Sequence, residues 1–379
     1  MSSTVEILEK LIAFPTISAN SNEALIRWVV SRINQSNGQI HILAGATAGK
    51  FNLLARFGPS DGAGIVLSGH SDVVPVKGQH WQSDPFNLTE RNSKLYGRGS
   101  SDMKGFLASA LAAVERVDKT TLARPLYLAF SYDEEIGCVG VRDLIERLSR
   151  ENFKAEGCII GEPTGQNVAL GHKGKLAGCI LCTGQAAHSA NPALGCNAIS
   201  LAAEMIIEVE TLQKHLAQHG AHDKAYPFAS TSIHIGTIRG GSALNIVPEH
   251  CKMEFEIRNI SGDDPHALVA RLQYQASRII ERHGKGDINI DITNEYPGLE
   301  TSADNVFAAK MLAAAGTKSC KVGFGTEAGL FKAGLDMPVV VCGPGSIDRA
   351  HKPDEYITRD ELAACDQFLD KVIASLSAL

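Results

Sequence analysis

The sequence predicts an α/β fold: a mostly parallel sheet flanked by helices, with a smaller α+β domain inserted into it. Strand and helix patterns alternate through residues 1–174, as is typical of a parallel sheet. From 175 to 294 the order is strand, helix, strand, strand, helix, strand, which is the order of a ferredoxin-like module. Candidate metal ligands skip that block and resume after it, so residues 295–379 should complete the first domain.

The first domain should open with a helix. Ser3 and Glu6 match a capping box, and Pro15 should end the helix that follows. The next expected elements are a helix at 23–34, strands at 39–43 and 52–57, and a helix that runs from near Asp102 to about Val117.

The inserted block has the clearest alternation of patterns. Strands are expected at 175–183, 230–239, 250–258 and 287–293, and helices at 197–215 and 265–282. Cys179 and Cys182 are three apart on the first of these strands, so they should face opposite sides of the sheet and not act as a pair. The nine cysteines are scattered singly, which favours reduced core residues over a disulfide framework.

The composition of the chain indicates which kinds of binding partner to expect. The chain of 379 residues has 44% hydrophobic and 21% charged residues, as expected of folded domains. The net charge of -6, without a Lys/Arg block, disfavours nucleic acid and anionic membranes and leaves a small molecule as the expected partner. No signal-type segment or long apolar run is found, so a cytoplasmic protein is expected.

Acids and histidines follow the apolar runs of several predicted strands. They are His70 and Asp72 after 65–68, Glu134 and Glu135 after 126–130, Glu162 after 158–161, and His351 after 339–342. In open α/β sheets, sites assemble at the carboxyl ends of the strands. Imidazole with several carboxylates, and no thiolate at the matching positions, suits two divalent cations such as Zn²⁺, Co²⁺ or Mn²⁺. The pattern therefore predicts a two-metal hydrolase.

Each of these residues also has an ordinary interpretation. His70 with Asp72 could be a capped loop histidine, and Asp102 could be the N-cap of the helix that follows it. Glu134 and Glu135 could form a solvated turn. The coincidence of such residues at several strand ends favours the metal site. If one acid of the pair binds metal, its neighbour points elsewhere and can serve as a general base.

Segments along nearly the whole chain resemble one family. They are residues 68–75, 97–105, 133–135, 161–164, 184–192 and 343–356. In this order they are similar to the metallopeptidase and deacylase family that includes acetylornithine deacetylase, succinyl-diaminopimelate desuccinylase, aminoacylase and glutamate carboxypeptidase. Residues 324–329 are most similar to the deacetylases, whereas desuccinylases carry Ser and Asp where this chain has Glu327 and Ala328. The resemblance implies a zinc-exopeptidase-like catalytic domain with an inserted lid and dimerisation domain.

The resemblance also implies the metal ligands. His70, Asp102 and Glu162 would hold one ion, and Asp102, Glu135 and His351 the other, with Asp102 as the bridge. Zn²⁺ is the expected metal, with Co²⁺ or Mn²⁺ as alternatives.

Further roles follow from the same resemblance. Glu134 would be the general base and Asp72 would orient His70, while an oxyanion would be stabilised by His188 of the partner subunit in a homodimer. The substrate-binding residues would be Asn245, Arg258 and Thr326.

The reaction that the resemblance implies is hydrolysis of N2-acetyl-L-ornithine to L-ornithine and acetate, a step of arginine biosynthesis. The alternatives are desuccinylation, hydrolysis of another N-acyl amino acid, or an inactive metal-binding relative with a scaffolding role.

Overall fold

The computed structural model describes residues 3–377. Its chain forms two compact units. The first takes in the residues up to Gly171, Leu299–Val322 and the chain from Thr326 onward, and the second comprises His172–Gly298 with Gly323–Gly325.

Helices and strands alternate through most of the described chain. The α-helices are α1 (Thr4–Ile12), α2 (Glu23–Gln35), α3 (Lys104–Arg116), α4 (Val141–Arg150), α5 (Ala198–His219), α6 (Pro265–His283), α7 (Val306–Ala315), α8 (Ala328–Leu335) and α9 (Arg359–Ala374). The strands are β1 (Gln39–Ala44), β2 (Phe51–Phe57), β3 (Gly64–His70), β4 (Thr89–Arg91), β5 (Lys94–Tyr96), β6 (Leu126–Ser131), β7 (Ala155–Ile160), β8 (Val168–His172), β9 (Lys175–Thr183), β10 (Ser232–Gly240), β11 (His250–Arg258), β12 (Asp287–Tyr296), β13 (Leu299–Glu300), β14 (Ser319–Val322), β15 (Val339–Val341) and β16 (Tyr356–Thr358).

The first unit is built on a mixed sheet with a parallel centre. Its strand order is β1-β2-β6-β3-β7-β15-β8-β13, with β14 also paired to β8. The central strands β6, β3, β7 and β15 run parallel, whereas β1, β2 and β8 pair antiparallel. Every residue of β3 and β6 is buried, as expected when helices cover both faces of a sheet. The predicted α/β fold with a mostly parallel sheet is confirmed.

The second unit has the ferredoxin-like order of elements. Its sheet runs β10-β11-β9-β12 with antiparallel pairing throughout. Apolar side chains of α5, α6 and the sheet form one core. Burial alternates along β9, which leaves Cys179 half-exposed while Cys182 is buried, so the two thiols face opposite sides as predicted.

Local sequence patterns predicted the ends of some helices correctly and of others incorrectly. The capping box of Ser3 and Glu6 begins α1 as predicted. The N-cap of α3 is Met103, so the interpretation of Asp102 as a helix N-cap is wrong. A small sheet of β16, β5 and β4 was not expected from the sequence. Among residues 3–377, no helix is both long and apolar enough to cross a bilayer.

Candidate metal centre

The parallel strands of the first unit deliver acids and histidines to one edge of the sheet. His70 is the last residue of β3, and Glu162 lies two residues beyond the end of β7. Glu134 and Glu135 stand in the turn after β6, and His351 lies in the loop between β15 and β16. Because parallel strands end at the same edge, side chains from distant parts of the sequence meet there.

Three of these residues form a buried set. Nε2 of His70 lies 3.1 Å from Oδ1 of Asp102 and 3.6 Å from Oε1 of Glu162. All three side chains are at most 6% exposed, so water does not compensate their charges. One imidazole nitrogen and two carboxylates therefore converge on a small volume.

A second set shares Asp102 with the first. Nε2 of His351 lies 3.3 Å from Oδ2 of Asp102 and 3.0 Å from Oε2 of Glu135. The two oxygens of Asp102 thus face different imidazoles. In each set the candidate ligand atoms all lie within 4.8 Å of one another, as ligands of one ion must. His351 is half-exposed, so the second set is the more open to solvent.

Asp72 lies behind His70 and organises the neighbouring loops. Its carboxylate accepts hydrogen bonds from the Ser18 hydroxyl at 2.7 Å and from the main-chain N–H groups of Glu134 and Glu135 at 3.1 and 3.4 Å. The Nδ1 atom of His70 lies 2.9 Å from the main-chain carbonyl of Asp72 and 3.5 Å from its carboxylate. The main-chain carbonyl is therefore the closer partner that orients the ring, with the carboxylate behind it.

Burial and mutual repulsion of the carboxylates shift the pKa values of the cluster. Burial raises the pKa of Glu162 well above its usual value, and the charge of Asp102 adds to the effect. Burial and the same charge raise the pKa of Glu135 to about 7. Hydrogen bonds to Asp102 and Glu135 raise the pKa of His351 to about 10. These directions are those expected of a buried cluster with more carboxylates than imidazoles.

The donor set fits a pair of divalent ions. Both sets combine an imidazole with carboxylates, the ligands that Zn²⁺ and similar ions take. Among the described residues, Oε1 of Glu135 is buried without a hydrogen-bond partner, which is costly unless another group binds it. A cation at each set would neutralise the carboxylates and satisfy this atom.

Two other predicted residues come together in the second unit. His188 and Ile246 form a β-bridge, and the N–H of Ser189 donates to the carbonyl of Asn245 at 3.1 Å. His188 and Asn245 therefore stand on paired, exposed segments. Nδ1 of His188 accepts from the N–H of Ala190 at 3.0 Å, so in the neutral ring the proton resides on Nε2.

Arg258 and Thr326 each form hydrogen bonds with other residues of this chain. Nε and Nη2 of Arg258 donate to Glu256 at 2.6 and 3.2 Å, so the fork expected to bind a substrate carboxylate is held by this acid. Thr326 is fully buried, and its hydroxyl accepts from the N–H of Ala328 at 3.0 Å in the first turn of α8. Their substrate-binding roles stay predictions.

Two buried acids near the site were given no role from the sequence. Burial raises the pKa of Glu327 to about 7, and its charge raises the pKa of Glu134 in turn. Glu355 is 1% exposed and contacts the turn that carries Asp102. Both lie in segments that carry the family resemblance, but their burial depends on contacts with distant residues that no local pattern shows.

A parallel-sheet unit with two ligand sets sharing one carboxylate defines a metal-dependent hydrolase. The chain belongs to the peptidase family M20/M25/M40, whose model matches residues 66–375. Enzymes of this class hydrolyse amide bonds, and the ligand sets described above lie within the matched region.

Curated relatives align with nearly the whole chain. The chain is 34% identical over 377 residues to an acetylornithine deacetylase of Photorhabdus laumondii, covering 97% of this chain and 96% of that protein. It is 36% identical over 361 residues to an acetylornithine deacetylase of Proteus mirabilis, covering 93% and 91%.

Solved structures share the fold. An M20-family metallo-carboxypeptidase from Sulfolobus solfataricus superposes with a TM-score of 0.79 at 21% identity, covering 98% of this chain and 99% of that one. A dinuclear metal-binding M20 peptidase from Bacillus subtilis gives a TM-score of 0.70 at 15% identity, covering 98% and 97%.

Proposed function

We propose that this chain removes the acetyl group of N2-acetyl-L-ornithine, releasing L-ornithine and acetate, as a step of arginine biosynthesis. The observation that carries the proposal is the position of Asp102, whose two oxygens face His70 and His351. That arrangement supports a two-metal amide hydrolase. The deacetylases that match nearly the full chain support the choice of substrate.

In this proposal His70, Asp102 and Glu162 hold one ion, and Asp102, Glu135 and His351 hold the other. Zn²⁺ is favoured by the mixture of imidazole and carboxylate, and Co²⁺ or Mn²⁺ would also accept it. When bound, the ions polarise the amide carbonyl and make water easier to deprotonate.

Glu134 is the general base of the proposed reaction. Its N–H is held by Asp72, and its Oε1 accepts from the thiol of Cys138 at 3.3 Å, so both backbone and side chain are fixed. Burial, with the charges of neighbouring acids, raises its pKa to about 8 in the metal-free protein, and cations beside it act in the opposite direction. A carboxyl group titrating near neutral pH can take a proton from the attacking water and return it to the leaving amine.

The oxyanion is stabilised by His188 of the partner subunit. The support in this chain is that Nδ1 accepts a hydrogen bond, which leaves the Nε2 proton available to donate. Asn245 is paired to the same segment and would contact the substrate beside it. Arg258 and Thr326 are the other proposed substrate-binding residues, with Arg258 binding the α-carboxylate in exchange for Glu256.

The assignment of His188 to the partner's site requires a homodimer, which we propose forms through the second unit. The strand β10 lies at the edge of its sheet, and an exposed edge can pair with the same strand of a second copy. Exposed apolar side chains lie on this strand and on α5, with Ile238 at 50% and Ile207 at 61% exposure. Burial of such side chains favours association.

Release of ornithine from N2-acetyl-L-ornithine, with and without a chelator, tests the proposal. We expect turnover that chelation abolishes and Zn²⁺ or Co²⁺ restores. N-succinyl-diaminopimelate and a series of N-acetyl amino acids, assayed in parallel, separate the deacetylase from a desuccinylase or a broader aminoacylase. If none of these substrates is hydrolysed in the presence of either metal, the interpretation of the chain as an inactive metal-binding relative is the one that remains.

A further inference from the structure

Glu355 is a buried carboxylate whose two oxygens are fully used by the turn before α3. Oε1 accepts from the N–H groups of Ser101 at 2.9 Å and Asp102 at 3.0 Å. Oε2 accepts from the N–H of Gly99 at 3.1 Å and from Nη1 of Arg98 at 2.7 Å. A carboxylate that receives four donors holds its partners more firmly than a single neutral hydrogen bond does.

These contacts fix the main chain at the shared ligand. The three amide groups belong to the turn that ends at Asp102, and all of them are buried. A buried N–H without a partner is costly, so this turn keeps its shape only while the carboxylate is in place. Since the side chain of Asp102 must present one oxygen to each imidazole, the position of its backbone decides both distances.

The same group also holds the loop that carries His351. Glu355 itself is four residues from His351, and Nη1 of Arg98 reaches the carbonyl of Lys352 at 3.3 Å. Arg98 also donates to the side-chain oxygen of Gln79, whose Nε2 donates to the carbonyl of His351 at 2.8 Å. Gln79, Arg98 and Glu355 therefore form one hydrogen-bonded network between the two ligands.

We propose that Glu355 is a positioning residue which, with Arg98 and Gln79, sets the distance between Asp102 and His351 and thereby the affinity for the second ion. The second ligand set has two of its three members held by this network, whereas the first has only Asp102. Loss of the network therefore weakens the second ion more than the first. The inference rests on the metal centre of the proposed function and not on its substrate.

A buried ion pair could instead serve stability alone, because removal of one partner leaves an uncompensated charge. The test therefore measures metal binding and not only activity. Metal-free protein is titrated with Co²⁺ alone. Calorimetry and visible absorption spectra follow the binding of the first and the second equivalent. The variants are Glu355→Gln, Gln79→Ala and a reference variant, His351→Ala, that lacks a ligand of the second set.

The matched control is Glu115→Gln. Glu115 is a part-buried acid that accepts two hydrogen bonds from Arg32, at 2.7 and 2.8 Å, but it lies near the far end of α3 from Asp102. Its loss should cost stability without changing metal binding.

In Glu355→Gln one oxygen becomes an amide nitrogen that cannot accept, so two buried donors lose their partner. We expect the first Co²⁺ to bind nearly as in the wild type and the second to weaken about 10- to 100-fold, the usual effect of losing a hydrogen bond behind a metal ligand. The spectrum after one equivalent should match that of His351→Ala. Gln79→Ala should weaken the second ion in the same direction by a smaller factor.

If both Glu355→Gln and Gln79→Ala bind each Co²⁺ ion as tightly as the wild type does, the inference is overturned and the metal centre is left intact. Equal weakening in Glu115→Gln would also overturn it, because the effect would then follow from stability alone. If Glu355→Gln does not fold, Gln79→Ala decides, since its side chain is only half-buried. A wild-type protein that binds fewer than two ions would instead refute the proposed metal centre itself.

Discussion

The carboxylate of Asp72 accepts the main-chain N–H of Glu134 at 3.1 Å. A residue two positions after one candidate ligand therefore holds the loop that carries the proposed base. The loops after β3 and β6 are thus coupled by a side chain that itself binds no ion in the proposed centre. Disturbing Asp72 should change the reaction through its neighbours.

We expect Asp72→Asn to lower both metal affinity and kcat. Asparagine keeps the size but has one acceptor oxygen, so it cannot serve Ser18 and both N–H groups of the Glu134–Glu135 turn. Metal affinity should fall about 10- to 100-fold, as measured by competition with a chromogenic chelator. Ser18→Ala removes one donor only and should have a smaller effect; equal losses in the two variants would assign the role to Ser18 instead.

Glu134→Gln should keep both ions and lose most of its turnover. The amide has nearly the same shape but cannot take a proton, and general-base catalysis typically contributes 10²- to 10⁴-fold. Metal content by mass spectrometry and kcat on N2-acetyl-L-ornithine separate the two effects. Glu151→Gln, an exposed acid paired with Arg147, serves as the matched control. A kcat close to that of the wild type would move the role of base to another residue.

If Asp102 is shared by both ligand sets, variants of Asp102 and His351 should bind different numbers of metal ions. Because Asp102 belongs to both ligand sets, Asp102→Ala should lose both ions. His351→Ala should lose only the ion of the second set, since His70 and Glu162 remain to hold the first. Equilibrium dialysis against Zn²⁺ measures both. Retention of one tight ion in Asp102→Ala would contradict a bridging role.

The metal-free protein should lose stability as the pH rises from about 5 to 8. Burial raises the pKa of Glu134 to about 8 and that of Glu135 to about 7, from a usual value of 4.5. Hydrogen bonds to Asp102 and Glu135 raise that of His351 to about 10. A group with a raised folded pKa binds its proton more tightly in the native state, so its contribution is complete below the unfolded pKa and is lost as the pH passes the folded one.

Bound ions should reverse this trend, because they need the ligands deprotonated and so bind more tightly at higher pH. Thermal unfolding with EDTA and with Zn²⁺, at half-unit steps of pH, gives both curves. The gap between the two melting temperatures should widen from pH 5 to 8. A constant gap would mean that the acids do not titrate together with the metal site.

The sequence predicted elements well where the signal was local. The capping box at Ser3 located the start of α1, and strict alternation located β9 at both ends. Strands β4, β5 and β16 were missed, since three residues are too few to show a period of two. Their pairing depends instead on contacts between residues far apart in the chain, such as Tyr96 with Tyr356.

In the candidate site, too, local sequence patterns predicted some residues, whereas others depend on contacts between distant parts of the chain. The position of His70 and Glu162 after apolar strands predicted that they would lie at one sheet edge, and the structure brings them within 3.6 Å. Asp102 was harder to predict, because the sequence around it alone favoured a helix N-cap, whereas the N-cap of α3 is Met103. What holds its turn is Glu355, which is 253 residues away along the chain, so no local pattern could have shown it.

Inactive variants should complement each other if His188 acts in the other subunit's site. His188→Ala alone should keep its ions and lose about 3 to 4 kcal/mol of transition-state stabilisation, the typical worth of one oxyanion donor. A heterodimer of His188→Ala with Glu134→Gln has one site with an intact base and an intact histidine from the opposite chain. We expect that site to recover turnover in heterodimers that are co-expressed and purified through two different tags.

His222→Ala is the control, because the ring of this exposed histidine of the same unit contacts the main-chain carbonyls of Gly220 and Ala217. The complementation also separates two geometries. If His188 served the site of its own chain, one subunit of the heterodimer would lack the base and the other would lack the histidine, so both sites would stay inactive. Recovery of activity therefore requires that each catalytic unit receive its oxyanion donor from the other chain.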